Sequence, residues 1–413
     1  MVVSEISKEQ FKKYTEDKQT TLYQTVEYGD TMINEGFDVL YVGFFDNDII
    51  IGASLVLIEK SFGFKYAYAP KGFIINYNDF NILKEATNAI KKYLGKREIM
   101  AIKVNIPITI FEYDAKMKDK KECPDGKYLL DNLERLGYAH LGFNEEFESL
   151  KPRFEAELTL NKSIYEIYNN LKKSLRKKIK SAEAEGIKII KSNENNLDKL
   201  YTLTKRKYPR SLDYFKSLHS NLNEENKIDF FYAKLDTEKH LNTIKKKYEE
   251  LEEESNKINE KIITSTGDKT KLINKKIEID KNLFNYKLSL INATKLLNDS
   301  PEGIVLAGIL LYKEGPDVYM IMDGYNTQHR RLSAKHLLIF RVIEYYLEQG
   351  YRTFNLGGMS DPNKETKYTG LNTFKQAWNP VIKEYLGDFE LITNQTKYFM
   401  YRHAKPIRDV LKN

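Results

Sequence analysis

A chain of 413 residues with 41% hydrophobic and 12% aromatic content has apolar surface for two or three buried cores, which excludes intrinsic disorder. One cysteine, Cys123, excludes a disulfide framework, and six scattered histidines, with His329 and His336 too widely spaced, predict no metal site. The formal net charge of +7 permits an anionic partner without requiring one, and no apolar run reaches the length of a membrane span.

The N-terminus carries no signal-peptide pattern, so a cytoplasmic setting is expected. Residues 38–45 and 49–57 are β-rich runs around the polar turn Asp46-Asn47-Asp48, a hairpin. A strand at 65–69 is punctuated by Pro70-Lys71-Gly72. A helix over 77–94 follows, then a strand at 99–106 stopped by Pro107 and a short helix at 129–136 closed by Gly137.

Residues 154–160 alternate like a strand. Ser163 then caps one helix with the apolar face Ile164, Tyr168, Leu171, Leu175, Ile179 and Ala182, ended by Gly186. A strand at 187–190 and helices at 195–207 and 214–222 come next. Residues 229–236 and 303–311 repeat the first hairpin, with 237–302 inserted in its turn. In the insert, Leu241, Ile244, Tyr248, Leu251, Ser255, Ile258 and Ile262 step by threes and fours, as do Ile279, Leu283, Tyr286, Leu290, Ala293 and Leu297. That pattern predicts an antiparallel coiled-coil arm.

Beyond the arm, strands at 304–312 and 318–322, a helix at 333–348 and a strand at 352–355 lead into a loop, Leu356-Gly357-Gly358. The two glycines suit a tight turn or a close approach of backbone to substrate. A helix at 371–378, a strand at 382–386 and a basic C-terminal helix with Arg402, His403, Lys405 and Arg408 complete the chain. Lys172, Lys173, Arg176, Lys177, Lys178 and Lys180 form a denser basic run, either a solvated face or a contact for tRNA or anionic lipid.

Gln24-Thr-Val-Glu-Tyr28, the first hairpin, Lys71-Gly72 and Leu175-Arg176-Lys-Lys-Ile179 are followed in order by the decorated second hairpin and Phe354-Asn-Leu-Gly-Gly358. Gly370-Leu-Asn-Thr-Phe-Lys375-Gln-Ala-Trp378 and Glu384-Tyr-Leu-Gly387-Asp-Phe389 close the series. Together these stretches resemble the FemABX family, transferases that build peptidoglycan cross-bridges from aminoacyl-tRNA. The resemblance implies an α/β (α+β) fold of two tandem domains similar to GCN5-related acetyltransferases. The first covers 1–150, with 384–413 returning to it. The second covers 151–236 and 303–383, and the coiled-coil arm covers 237–302.

It also implies the reaction: an amine on a peptidoglycan stem peptide attacks the ester of an aminoacyl-tRNA. The acceptor would be lipid II or UDP-MurNAc-pentapeptide, no cofactor would be needed, and contact with the inner membrane surface would be peripheral. By the same resemblance Arg210 and Tyr214 grip the diphosphate, Phe374 and Lys375 match the family's Phe-Lys pair, and Lys375 stands beside the oxyanion. A lysine usual in the family falls at Met32, and a carboxylate falls at Asn105. An acyl-CoA N-acyltransferase is a competing class, although Arg330-Arg-Leu-Ser-Ala334 lacks its glycines. A non-enzymatic RNA-binding or scaffold protein is the other.

Overall fold

The computed structural model describes residues 1–413 apart from 19, 62, 149–150, 193–195, 206–209 and 412–413. Pro209, the ends of the helix expected over 195–207, and the side chains of Lys405 and Arg408 lie outside that description.

The two hairpins open the same strand sequence twice. In one sheet, strands Asp38–Asp46, Ile49–Ser61 and Phe64–Pro70 run antiparallel, and the last then pairs in parallel with Ile99–Asn105. In the other, Ile228–Leu235, Ile304–Glu314 and Asp317–Tyr325 do the same before a parallel pairing with Thr353–Met359. Parallel neighbours need a crossover. Helices Phe80–Lys96 and Ala334–Glu348 supply it, each burying an apolar face on its sheet. The first hairpin turns on Asn47 and Asp48, both with positive φ, which suits the right-handed strand twist. This is the expected α/β fold, with two sheets that share one strand order at their hairpin ends.

Sheet membership crosses position 150 in both directions. Strands Thr109–Tyr113 and Lys120–Glu122 join the second sheet through Val381–Tyr385, whereas Asp388–Ile392 returns to the first between Ile99–Asn105 and Tyr138–His140. An apolar layer with Phe11, Tyr28 and Met32 from one half and Phe215, Phe230 and Tyr312 from the other joins them. Met32 is buried in that layer.

Two expectations need correction. The helix read through 164–182 is two, Ile164–Asn170 and Lys173–Ala184, because Leu171 is extended and the Lys172 amide donates to the Ala377 carbonyl at 3.0 Å. Asn169 and Asn170 are weak helix formers at the break. Gly357 and Gly358 lie inside strand Thr353–Met359 rather than in a loop. Gly357 has φ +79, its amide donates to Asn355 Oδ1 at 2.6 Å, and the register with Phe154–Thr159 shifts between Asn355 and Gly358. This bulge bends the strand. Pairing with Asp317–Tyr325 stops at Asn355, and the two strands part.

Helices Thr237–Thr264 and Thr270–Asp299 fill the second hairpin's turn, and each is about 40–45 Å long. Ile244, Ser255, Ile258, Ile279 and Ala293 bury the seam between them.

Candidate active site

The parted strands open a cleft of about 2350 Å³ lined from both halves of the chain. Ordinary small-molecule sites measure about 300–1,000 Å³, so this cleft is more than twice the size of one.

Arg210 and Tyr214 stand together in the cleft. The guanidinium carbon is 4.7 Å from the Tyr214 ring centroid, and Ser211, capping helix Leu212–Asn223, accepts the Tyr214 amide at 2.9 Å. Burial raises the Tyr214 phenol above its ordinary pKa against the opposing pull of Arg210, so it is a hydrogen-bond donor at neutral pH.

Lys151, which the sequence reading did not single out, shares this wall. It is buried, with Nζ 2.9 Å from the Tyr23 ring centroid. Burial, then the charges of Lys71 and Arg210, hold its pKa well below the ordinary lysine value despite Glu155 and Asp388. Folded Lys151 therefore binds fewer protons than unfolded Lys151 between its folded pKa and about 10.4, and stability rises with pH across that window. Lys151→Met is expected to raise the melting temperature near neutral pH and to flatten that rise. Melts across the alkaline range check it, and a lower melting temperature at every pH would contradict it.

Between the halves lies a network centred on Glu155. Its carboxylate pairs with Lys71 Nζ at 3.3 Å and accepts from Asn355 Nδ2 at 2.9 Å and Tyr385 Oη at 3.2 Å. Lys71 Nζ also sits 3.8 Å from the Tyr385 ring centroid. Burial pushes the Glu155 carboxyl up, but Lys71 and the hydrogen bonds outweigh it, and the net shift is downward. Asn355 ties this network to the bulge, since its Oδ1 accepts from Gly357.

Lys375 approaches the bulge from helix Thr369–Gln376. It is only 4% exposed, so it does not face solvent, and its Nζ donates to the Gly358 carbonyl at 2.6 Å. A Cβ at Gly357 would lie 3.5 Å from that Nζ and 3.2 Å from the Met320 carbonyl, and with φ at +79 the position suits glycine. Gly358 packs on Pro152, and Phe374 is 4.4 Å from Lys335 Nζ, which is ion-paired to Asp323. Burial, with Lys178 and Lys335, lowers His336 to about 4, so its imidazole is neutral beside Phe374.

The basic run divides. Lys178 lines the cleft with Arg330 and Arg331, whereas Lys172, Lys173, Lys177 and Lys180 are exposed outside it and Arg176 is half-buried. Asn105 does not line the cleft. Its amide donates to Asp388 at 2.6 Å, and Asp388 also pairs with Lys103 at 2.5 Å, so the Asn105 amide serves the first sheet. Among the described residues no cluster of His, Cys, Asp or Glu is arranged to hold a metal.

The FemAB family model matches residues 6–406. The chain belongs to the FemAB family. This FemAB chain is 26% identical over 396 residues to a lipid II:glycine glycyltransferase of Staphylococcus epidermidis, covering 93% of this chain and 91% of that one. The Staphylococcus aureus protein of the same description is 24% identical over the same shares. The crystal structure of FemX superposes with a TM-score of 0.72 at 22% identity, covering 97% of this chain and 99% of that one, which establishes the shared fold.

Proposed function

We propose that this FemAB chain is an aminoacyltransferase of peptidoglycan bridge synthesis. It moves an amino acid from aminoacyl-tRNA to the stem peptide of lipid II or UDP-MurNAc-pentapeptide. The observation that carries this reading is one large cleft joining Arg210 and Tyr214, through Lys71, Glu155 and Asn355, to Gly357, Gly358, Phe374 and Lys375. The names of the staphylococcal relatives support the lipid-linked form of the acceptor.

The chemistry asks little of the protein. An acceptor amine attacks the ester carbonyl, the C–N bond forms as the C–O bond to the ribose breaks, and the amine's proton leaves with the ribose oxygen. The barrier lies in bringing two bulky substrates together and in the charge developing on the carbonyl oxygen. Arg210 suits the acceptor's diphosphate as a fork of donors, with Tyr214 beside it. Lys375 and the bulge suit the oxyanion, and Phe374 walls the reacting end. Lys178, Arg330 and Arg331 offer cations for the phosphates at the tRNA 3′ end, and Lys172, Lys173, Arg176, Lys177 and Lys180 extend that positive surface outward.

The deciding assay incubates the protein with charged tRNAs and either UDP-MurNAc-pentapeptide or lipid II, and follows the acceptor's mass. Gain of one aminoacyl mass is expected. No gain with any charged tRNA defeats the proposal, and acetyl-CoA turnover instead would favour the acyl-CoA class.

Arg210→Ala is expected to cost a charge-assisted contact of about 1.5–3 kcal/mol, a loss of roughly tenfold to a hundredfold in affinity for UDP-MurNAc-pentapeptide. Affinity for tRNA should not change. Calorimetric titration of each ligand checks both halves, and unchanged precursor affinity removes Arg210 from the diphosphate site.

A further inference from the structure

Helix Thr270–Asp299 has a second apolar face that its arm partner does not cover. Ile273, Ile277, Phe284, Leu288 and Ile291 are 44%, 61%, 62%, 46% and 59% exposed. At 3.6 residues per turn the five fall within about 60° of one another, on the side away from the buried Ile279 and Ala293. The result is a continuous stripe running most of the helix.

The charges beside the stripe identify what covers it. Lys281, Lys287 and Lys295 border it, all exposed and forming no ion pair among the described residues. The nearby carboxylate of Asp280 is already held by Lys276 at 2.5 Å and by Ser255 Oγ at 2.8 Å. The border is therefore cationic. A second copy laid antiparallel on the same face would bring the two Lys281 ammoniums, and the two Lys287 ammoniums, toward each other. A nucleic acid would satisfy the lysines but leave the isoleucines and Phe284 against phosphates. Apolar depth with a cationic border matches an anionic bilayer, where the side chains enter the acyl boundary and the lysines meet the headgroups.

We infer that this face of the arm lies on an anionic lipid surface, docking the protein peripherally. No helix among the described residues is long and apolar enough to cross a membrane, so the contact is one of lying on the surface. The placement serves the cleft. The arm leaves the sheet at Leu235 and returns at Ile304, next to Asn326, whose amide donates to the Leu306 carbonyl at 2.7 Å. Asn326, Thr327, Gln328, Arg330 and Arg331 line the cleft, so an arm resting on lipid holds that mouth near the surface carrying a lipid-linked acceptor. That last consequence rests on the proposed function; the lipid contact does not.

The test is co-sedimentation of the full chain with phosphatidylglycerol–phosphatidylcholine vesicles against phosphatidylcholine alone. Binding to the anionic vesicles only is expected. Ile277→Ser/Phe284→Ser/Ile291→Ser, at exposed positions, should reduce the partition coefficient roughly tenfold or more. Lys281→Glu/Lys287→Glu should do the same through charge alone. Circular dichroism should show unaltered helix content, and transfer to soluble UDP-MurNAc-pentapeptide should persist. Unchanged partition in both variants overturns the inference. So does parent self-association, or a tRNA band shift, that the serine variant abolishes while vesicle binding stays. Absence of transfer with vesicle binding intact would count against the proposed function alone.

Discussion

Lys375→Met is expected to lower kcat by about 10²–10³-fold, the usual effect of removing one donor to a developing oxyanion. KM for the precursor should move little, because the residue acts on charge that is absent in the ground state. Methionine keeps the stem's packing in the pocket under the bulge but removes the donor to the Gly358 carbonyl. A purely structural role would therefore show as a lower melting temperature with a proportionate loss of active protein. Lys375→Arg separates the cases further by restoring a charge at a different reach. An unchanged kcat in a variant that melts like the parent would remove Lys375 from the chemistry.

Glu155→Ala carries the largest expected loss of stability. It leaves Lys71 buried without its carboxylate and takes the acceptor from Asn355 and Tyr385. Breaking one side of a buried pair costs about 3–5 kcal/mol. Urea denaturation reads this directly, and a change below about 1 kcal/mol would show that the network is solvated. The pH dependence has a definite sign. The folded carboxyl sits below its ordinary pKa, so its contribution is complete above about 4.3 and is lost as pH falls through the folded value. Glu155→Gln should flatten that acid limb while costing less near neutrality, since the amide oxygen still accepts one of the three donors.

Glu155 also shows why part of the site was illegible in sequence. In Phe154-Glu-Ala-Glu the two glutamates share one face of a strand, opposite Phe154 and Ala156, and such a face ordinarily meets water. Here it meets the cleft, because Thr353–Met359 pairs on one side and Val381–Tyr385 on the other. Lys151 gave no signal either, since a lone lysine before Pro152 reads as surface. Asn105 reads as a lost carboxylate, but it bonds Asp388 from a strand more than 280 residues away.

Local physics made the repeated hairpins, the turn at Asn47-Asp48, the arm's two helices and the Ser163 cap readable, because alternation, turn chemistry and capping act within a few residues. The ordered motifs pointed to the family in the same way and singled out Arg210, Tyr214, Phe374 and Lys375, which the fold sets along one cleft. Tertiary structure alone decided that Gly357-Gly358 is a strand bulge and that the helix from Ser163 breaks at Leu171. It alone brought Lys71, Lys151 and Glu155 to one wall. The reason is that hydrogen-bond partners and burial at those points come from segments distant in the chain, which no local pattern records.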